Sequence, residues 1–225
     1  MPSKPSPLIQ IEKKTIFIVD DHPLIRQGIA QLIDRESDML VVGEAGDMEE
    51  ALQTIKKVNP HLVIVDINLK GSSGIELTTT LLALYPKILI LIISMHDESL
   101  YVERVLKAGA KGYLMKDEAT THVITAIRKV LSGEIYISAH MRDTLVNKVI
   151  SGRKTLAGSL PETLSNRELE VLQLIGQGLS TRQIGNTLHI SVKTVDSHYA
   201  NIKTKLDLKN SHALIQYAVK WTLAS

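Results

Sequence analysis

Between Lys14 and Leu131, short apolar runs and amphipathic stretches alternate five times, and that alternation limits the fold more than any other feature of the chain. Lys14–Asp20, Leu40–Glu44, Leu62–Asp66, Ile88–Ile93 and Gly112–Met115 are rich in Ile, Val and Leu and too short for helices. They read as strands buried on both faces. The first helical pattern opens on Pro23, whose fixed φ suits an initial helical position, and places Ile25, Ile29, Leu32 and Ile33 on one face. Further helices are expected over Met48–Val58, Gly74–Leu84, Glu98–Ala108 and Thr120–Leu131. Five βα units in succession predict a five-stranded parallel sheet with helices on both faces.

The rear of the chain has a different pattern. One more helix is expected over Ser138–Ile150, with Met141, Leu145 and Val149 on a stripe. The stretch "SGRKTLAGSLPE", Ser151–Glu162, has the Gly, Ser and Pro content of a linker. Beyond it only helices are expected, over Asn166–Gly176, Thr181–Leu188, Val192–Leu206 and Ser211–Leu223. The expected organisation is a tail over 1–13, an α/β domain over 14–132, a connecting helix and linker over 133–163, and an all-α domain over 164–225. Charge divides the same way. From Ser151 onward nine basic residues face five acidic ones, a surplus of four, which leaves −2 for residues 1–150 of a chain whose total is +2. An acidic front and a basic rear imply two modules with different partners.

Composition excludes several classes. At 44% hydrophobic residues the chain is not a disordered segment, and with no cysteine it carries neither a disulfide framework nor a thiolate metal site. The start "MPSKPSPLIQIEKK" lacks the apolar core of a signal peptide, and "LLALYPKILILII" is broken by Pro86 and Lys87 and too short to span a bilayer. A soluble cytoplasmic protein without a membrane partner is expected. The eight histidines form no zinc-binding spacing.

Ligands of open parallel α/β sheets sit at the carboxyl ends of the strands. There this sequence collects Asp20 and Asp21 after the first strand, Asp66 at the third, Ser94 at the fourth and Lys116 just past the fifth. One polar strand end means little; three carboxylates, a hydroxyl and an amine on one rim are harder to dismiss. Converging carboxylates repel unless a hard cation lies among them, and Mg²⁺ takes one or two protein carboxylates while leaving room for phosphate oxygens. An amine and a hydroxyl beside them suit a phosphoryl group. Asp66, central among the strands, is the best nucleophile for an acyl phosphate, with Asp20 and Asp21 on the metal and Lys116 neutralising developing charge.

The motifs "VDD", "VIVDINLKGSSG", "IIS" and "GYLMKD" together resemble the receiver domain of two-component response regulators across residues 14–132. The resemblance implies a flavodoxin-like strand order of 2-1-3-4-5 and phosphorylation of Asp66 by a sensor histidine kinase. It also implies Mg²⁺ ligation by Asp21, Asp66 and the backbone carbonyl of Asn68, with Asp20 bound through water. Ser94 would follow the phosphoryl group inward, and Tyr113 would change rotamer with it. Three positions depart from the usual pattern: Lys70 where proline is common, Met95 where a small residue is usual, and Asp117 where proline often follows the lysine. None removes a catalytic group; Met95 either lies across the phosphoryl site and slows traffic through it, or points away and packs against the following helix.

The basic module has its own signature. Val192, Val195, Tyr199, Ile202 and Leu206 repeat as the buried stripe of one helix, with Ser191 at its N-cap. Lys193, Thr194, Ser197, Ala200, Asn201 and Thr204 then face outward, flanked by Arg182, Lys203, Lys205 and Lys209. Short polar side chains between lysines suit entry into a DNA major groove. Gly185 should weaken its helix by about 1 kcal/mol relative to alanine. Through "NRELEVL", "GLSTRQI", "ISVKTVDSH" and "IKTKLDL", Leu164–Leu208 resembles the helix-turn-helix of LuxR/NarL-type regulators. That resemblance implies double-stranded promoter DNA, a second copy of the chain as a homodimer and RNA polymerase as partners.

Two other classes share parts of this pattern. Aspartyl-phosphate phosphohydrolases also use an Asp nucleophile and Mg²⁺, but want a second acid two residues after it, where this chain has Asn68. A receiver that only docks partners would not need Asp20, Asp21, Ser94 and Lys116 together. A DNA-binding regulator, not an enzyme, is the expected function.

Overall fold

The computed structural model describes residues 13–151, 163–188 and 190–224. The chain divides into two compact units, Met1–Leu145 and Val146–Ser225. The expected tail up to residue 12 and the expected linker over 152–162 lie outside the described residues.

The first unit alternates as the sequence predicts. In order come β1 (Lys14–Val19), α1 (Pro23–Asp34), β2 (Met39–Ala45), α2 (Met48–Val58), β3 (Leu62–Val65), the two-residue strands β4 (Asn68–Leu69) and β5 (Ser72–Ser73), and α3 (Gly74–Leu84). Then follow β6 (Leu89–Ser94), α4 (Glu98–Lys107), β7 (Gly112–Met115) and α5 (Ala119–Leu131), and α6 (Ala139–Ser151) begins in this unit and runs past its end at Leu145. Five strands form one sheet in the order β2-β1-β3-β6-β7, every pairing parallel. This is the 2-1-3-4-5 order expected from the sequence, counted over the sheet's own strands.

Alternation along each strand divides the core between two faces. Ile16, Ile18, Ile64, Leu91 and Ile93 pack with Ile29 and Ile33 of α1 and Val123, Ile127 and Val130 of α5. Phe17, Val63, Val65, Ile90 and Ile92, equally buried, serve the other face. Register then fixes the site. Val19 pairs with Val65 and Val65 with Ile92, so the residues that follow each strand emerge on one rim.

Between β3 and α3 the chain makes a feature the sequence reading lacked. β4 and β5 pair antiparallel around the turn Lys70–Gly71, so the position where proline is common is an exposed turn residue. Gly74 follows at the start of α3, and a Cβ there would stand 1.9 Å from the backbone oxygen of Asp66. Only glycine permits that approach. At the sheet's far edge the chain returns after α5: Tyr113 N donates to Tyr136 O at 2.8 Å, and Tyr136 N to Lys111 O at 2.9 Å.

The second unit contains α7 (Asn166–Gly176), α8 (Thr181–Thr187), α9 (Val192–Lys205) and α10 (Ser211–Ala224). Leu169, Leu172, Ile175, Ile184, Val195, Ile202, Leu214 and Trp221 form its core. Serines start three of these helices. Ser165 and Ser180 make reciprocal capping boxes with Glu168 and Gln183, and Ser191 accepts from Thr194 N at 3.1 Å, as predicted for α9.

Two expectations need correction. Val192 is 43% exposed, because the first turn of α9 extends past the core; the buried stripe is Val195 and Ile202, with Tyr199 and Leu206 half-buried. Gly185 is not simply a cost to α8, since a Cβ there would meet the carbonyl oxygen of Ile190 at 2.9 Å. Ile190 N donates to Gly185 O at 2.9 Å, so the glycine permits the tight turn into α9.

Candidate phosphoacceptor site and DNA-facing helix

The parallel strand ends bring the predicted acids together. Ligating atoms of Asp20, Asp21, His22 and Asp66 lie within 4.8 Å of one another. Asp20 and Asp66 are buried at 3% exposure each, and they share the Lys116 ammonium, whose Nζ lies 2.7 Å from Asp20 Oδ2 and 2.6 Å from Asp66 Oδ2. Asp20 is held further by His22, whose backbone N donates to its Oδ1 at 2.8 Å. Arg26 donates to the Asp20 carbonyl and pairs with Glu44 at 3.3 Å. His22 carries no role in the sequence reading; its place directly after the acidic pair is the signal that could have found it.

One ammonium does not balance three carboxylates. Burial raises Asp66 above the usual carboxylate range, with the Asp20 charge reinforcing it and Lys116 opposing. Asp21 Oδ1 is buried and, although 2.7 Å from His22 Nδ1, has no hydrogen-bond partner. A buried carboxylate oxygen without a hydrogen bond beside two more carboxylates is what a hard oxygen-seeking cation would complete. The donor set therefore fits Mg²⁺ at Asp20, Asp21 and Asp66.

Ser94 ends β6 and is buried, and Tyr113 on the neighbouring strand is buried too, with its hydroxyl donating to His96 O at 2.8 Å. Burial pushes the Tyr113 phenol up, keeping it protonated. The Asn68 side chain does not face the acids: its Nδ2 lies 2.8 Å from His96 Nε2. Met95, for which the sequence left open a place across the site or against the following helix, is 68% exposed and stands in solvent. Asp117 lies in a single 3-10 turn, Lys116–Glu118, that leads into α5.

In the second unit Arg182, Lys193, Thr194, Ser197, Ala200, Asn201 and Lys205 are exposed, and Lys203 is half-buried. Hydroxyls on α9 are engaged locally. Ser197 donates to Lys193 O at 3.0 Å, Thr204 to Ala200 O at 3.1 Å, and Thr194 shares a 2.8 Å bond with Ser191. Lys205 differs from its neighbours, since its Nζ lies 2.7 Å from the buried Glu168. Arg167, which the sequence reading passed over, reaches Glu170 at 2.6 Å and the Leu188 carbonyl at 2.6 Å, tying α7 to the end of α8.

Known proteins share both parts. Residues 16–128 match the family model for the response regulator receiver domain, and residues 162–218 match that for bacterial regulatory proteins of the LuxR family. The oxygen regulatory protein NreC of Staphylococcus haemolyticus is 37% identical over 209 residues, covering 91% of this chain and 96% of its own length. The chain belongs to the LuxR-type two-component response regulators. NreC of Staphylococcus epidermidis is 38% identical over 210 residues, with the same coverage of both chains. Among solved structures, RcsB of Salmonella enterica serovar Typhimurium, bound to promoter P1flhDC with a phosphomimetic BeF3-, aligns with a TM-score of 0.57 at 26% identity. That alignment covers 93% of this chain and 99% of RcsB. A LuxR-family response regulator from Aurantimonas sp. SI85-9A1 aligns at the same TM-score and 32% identity, over 62% of this chain and 99% of that one.

This response regulator is thus a DNA-binding transcriptional regulator and not a catalytic enzyme, with a candidate phosphoacceptor cluster in its receiver and a helix-turn-helix behind it. Among the described residues no helix is long and apolar enough to cross a membrane.

Proposed function

We propose that Asp66 accepts a phosphoryl group from a sensor histidine kinase in a Mg²⁺-dependent reaction, and that this controls dimerisation and promoter binding. The observation that carries the reading is the Lys116 ammonium, held within 2.7 Å of both Asp66 and Asp20 beneath a rim that also carries Ser94. An Asp66 carboxylate oxygen attacks the phosphorus of a phosphohistidine, the N–P bond breaks, and the imidazole nitrogen takes a proton as the acyl phosphate forms. Mg²⁺, held by Asp20, Asp21, Asp66 and the Asn68 carbonyl, would neutralise phosphoryl charge. Lys116 is placed to balance the oxygens that gain charge, Ser94 to donate to one of them, and Tyr113 to respond by changing rotamer.

The working boundaries are a tail over 1–13, a receiver over 14–132, a connecting segment over 133–163 and a DNA-binding module over 164–225. Lys193, Thr194, Ser197, Ala200 and Asn201 on α9 would enter the major groove, while Arg182, Lys203 and Lys205 would meet phosphates. Solved RcsB structures are described as promoter complexes and as dimers on DNA, which supports double-stranded promoter DNA and a second copy of this chain as partners. The kinase and RNA polymerase follow from the same reading. The test is a mobility shift with genomic fragments, with and without acetyl phosphate and Mg²⁺. Binding should tighten on phosphorylation of the natural chain and stay unchanged for Asp66→Ala. Equal labelling of that variant would overturn the assignment.

A further inference from the structure

Three carboxylates converge at the strand ends, and two of them are held by side chains. The Lys116 ammonium fixes Asp20 and Asp66 at 2.7 and 2.6 Å. Asp21 has no comparable hold: its Oδ1 is buried without a hydrogen bond, and the His22 side chain 2.7 Å away is 60% exposed. What aims Asp21 is therefore its backbone. The Asp20 carbonyl oxygen belongs to the peptide that leads into Asp21, and Arg26 donates to it from α1 through Nη1. Arg26 is fixed in turn by its Nε, which donates to Glu44 Oε2 on the edge strand β2 at 3.3 Å. On the other side of the same residue, Asp20 N donates to Ala45 O at 3.1 Å. One arginine thus ties α1, the end of β1 and β2 together around a single peptide plane.

We infer that Arg26 is a positioning residue for the metal site: by fixing the peptide between Asp20 and Asp21 it aims the Asp21 carboxylate and raises the affinity for Mg²⁺. This deepens the reading of Asp20, Asp21 and Asp66 as the Mg²⁺ donors and rests on it. Mg²⁺ demands near-ideal octahedral geometry, so a ligand that must be ordered on binding lowers affinity by the entropy of ordering it. Arg26 orders the backbone of Asp21 in advance. Groups that orient a metal ligand usually bond to its side chain. Here the orientation acts through the main chain. The guanidinium also carries a positive charge, which by itself opposes a divalent cation. Its pairing with the Glu44 carboxylate offsets that charge. Positioning and charge have opposite signs, so the direction of change on removing Arg26 separates them.

The experiment titrates the full-length chain with Mg²⁺ alone by calorimetry, at fixed ionic strength and without a phosphodonor. Arg26→Ala should raise the Mg²⁺ Kd about tenfold, the lower end of what losing a ligand-orienting partner costs. Arg26→Lys, which keeps a donor within reach of the Asp20 carbonyl, should stay within about threefold of the natural chain. Glu44→Ala, which frees the guanidinium, should weaken binding about threefold, whereas Glu44→Gln keeps an acceptor for Nε and should stay within about 1.5-fold. Acetyl-phosphate labelling gives a second readout. Arg26→Ala should need about tenfold more Mg²⁺ for half its maximal rate yet reach the natural maximum. A merely structural role would lower that maximum and leave the Mg²⁺ requirement where it was. An unchanged or lowered Kd in Arg26→Ala overturns the inference while leaving the Mg²⁺ donors and Asp66 in place. Should that variant fail to fold by circular dichroism, the Glu44 pair decides, and equal binding by Glu44→Ala and Glu44→Gln overturns it. A natural chain that binds no Mg²⁺, or undiminished binding by Asp21→Ala, would remove the metal reading itself, and this inference with it.

Discussion

Both units of this regulator bury carboxylates, and they treat them in opposite ways. In the receiver, Asp20 and Asp66 share one lysine, and Asp21 has a buried oxygen without a hydrogen bond. In the helix-turn-helix unit, Glu168 receives the Ser165 backbone N at 2.7 Å and Lys205 at 2.7 Å, while Glu170 receives Arg167 at 2.6 Å. The titration directions follow. Burial raises Asp66, whereas at Glu168 burial pushes upward but Lys205 and Ser165 outweigh it and hold the carboxyl below its ordinary range. A buried acid with its bonds complete is structure; a buried acid left short of partners is a site awaiting a ligand.

The comparison breaks first at stability. Arg167→Ala should cost the helix-turn-helix unit about 2–3 kcal/mol, because it weakens the hold on the Glu170 charge and frees the Leu188 carbonyl together. Asp66→Asn, at a site already crowded with negative charge, should change receiver stability by less than about 1 kcal/mol. Hydrogen exchange reports each unit separately, in a chain that need not unfold in two states. Equal losses at the two positions would erase the distinction between structural and functional acids.

Much of this was legible because β and βα periodicity carry information over long windows. Strand ends could be located within about a residue, and the rule for open α/β sheets then placed Asp20, Asp66, Ser94 and Lys116 on one rim. What stayed hidden has no period. The Asn68–His96 bond and the Lys205–Glu168 pair join residues 28 and 37 positions apart, and nothing in the neighbouring sequence marks these side chains as partners. The short hairpin at β4 and β5 fell inside what reads as a loop. Val192 matched a helical stripe, yet a stripe does not say where the neighbouring helices stop covering it.

Acid should sharpen the contrast next. Glu168 has a lowered folded-state pKa, so its stabilisation is present above the unfolded carboxylate value and is lost as pH falls through the folded one. His198 adds to this with the same sign. Burial lowers it, Arg167 reinforcing, so the unfolded chain takes up its proton first and stability begins to fall below the ordinary imidazole value near 6.5. The helix-turn-helix unit should therefore lose protection in two stages on acidification. Glu168→Gln should flatten the lower stage and leave the upper one intact, read by exchange across α7 and α9. A single stage, unchanged in the variant, would show that Glu168 is not held as its partners imply.

The smallest effect is expected at Met95. A flexible thioether directly after Ser94 is well placed in sequence to obstruct the donor or the hydrolytic water. In the folded receiver, however, Ser94 is buried at 1% exposure while Met95 is 68% exposed, so the long side chain stands in solvent. An occluding group must be held in the line of attack to retard it, and a side chain surrounded by water is held by nothing. The next residue, His96, is by contrast engaged through its ring with Asn68 and Tyr101. Met95→Ala should accordingly alter acetyl-phosphate labelling and dephosphorylation by less than about twofold. Timing both reactions in both proteins at equal Mg²⁺ tests this. A several-fold acceleration in the alanine variant would mean that Met95 folds back over Asp66 once the phosphoryl group is in place.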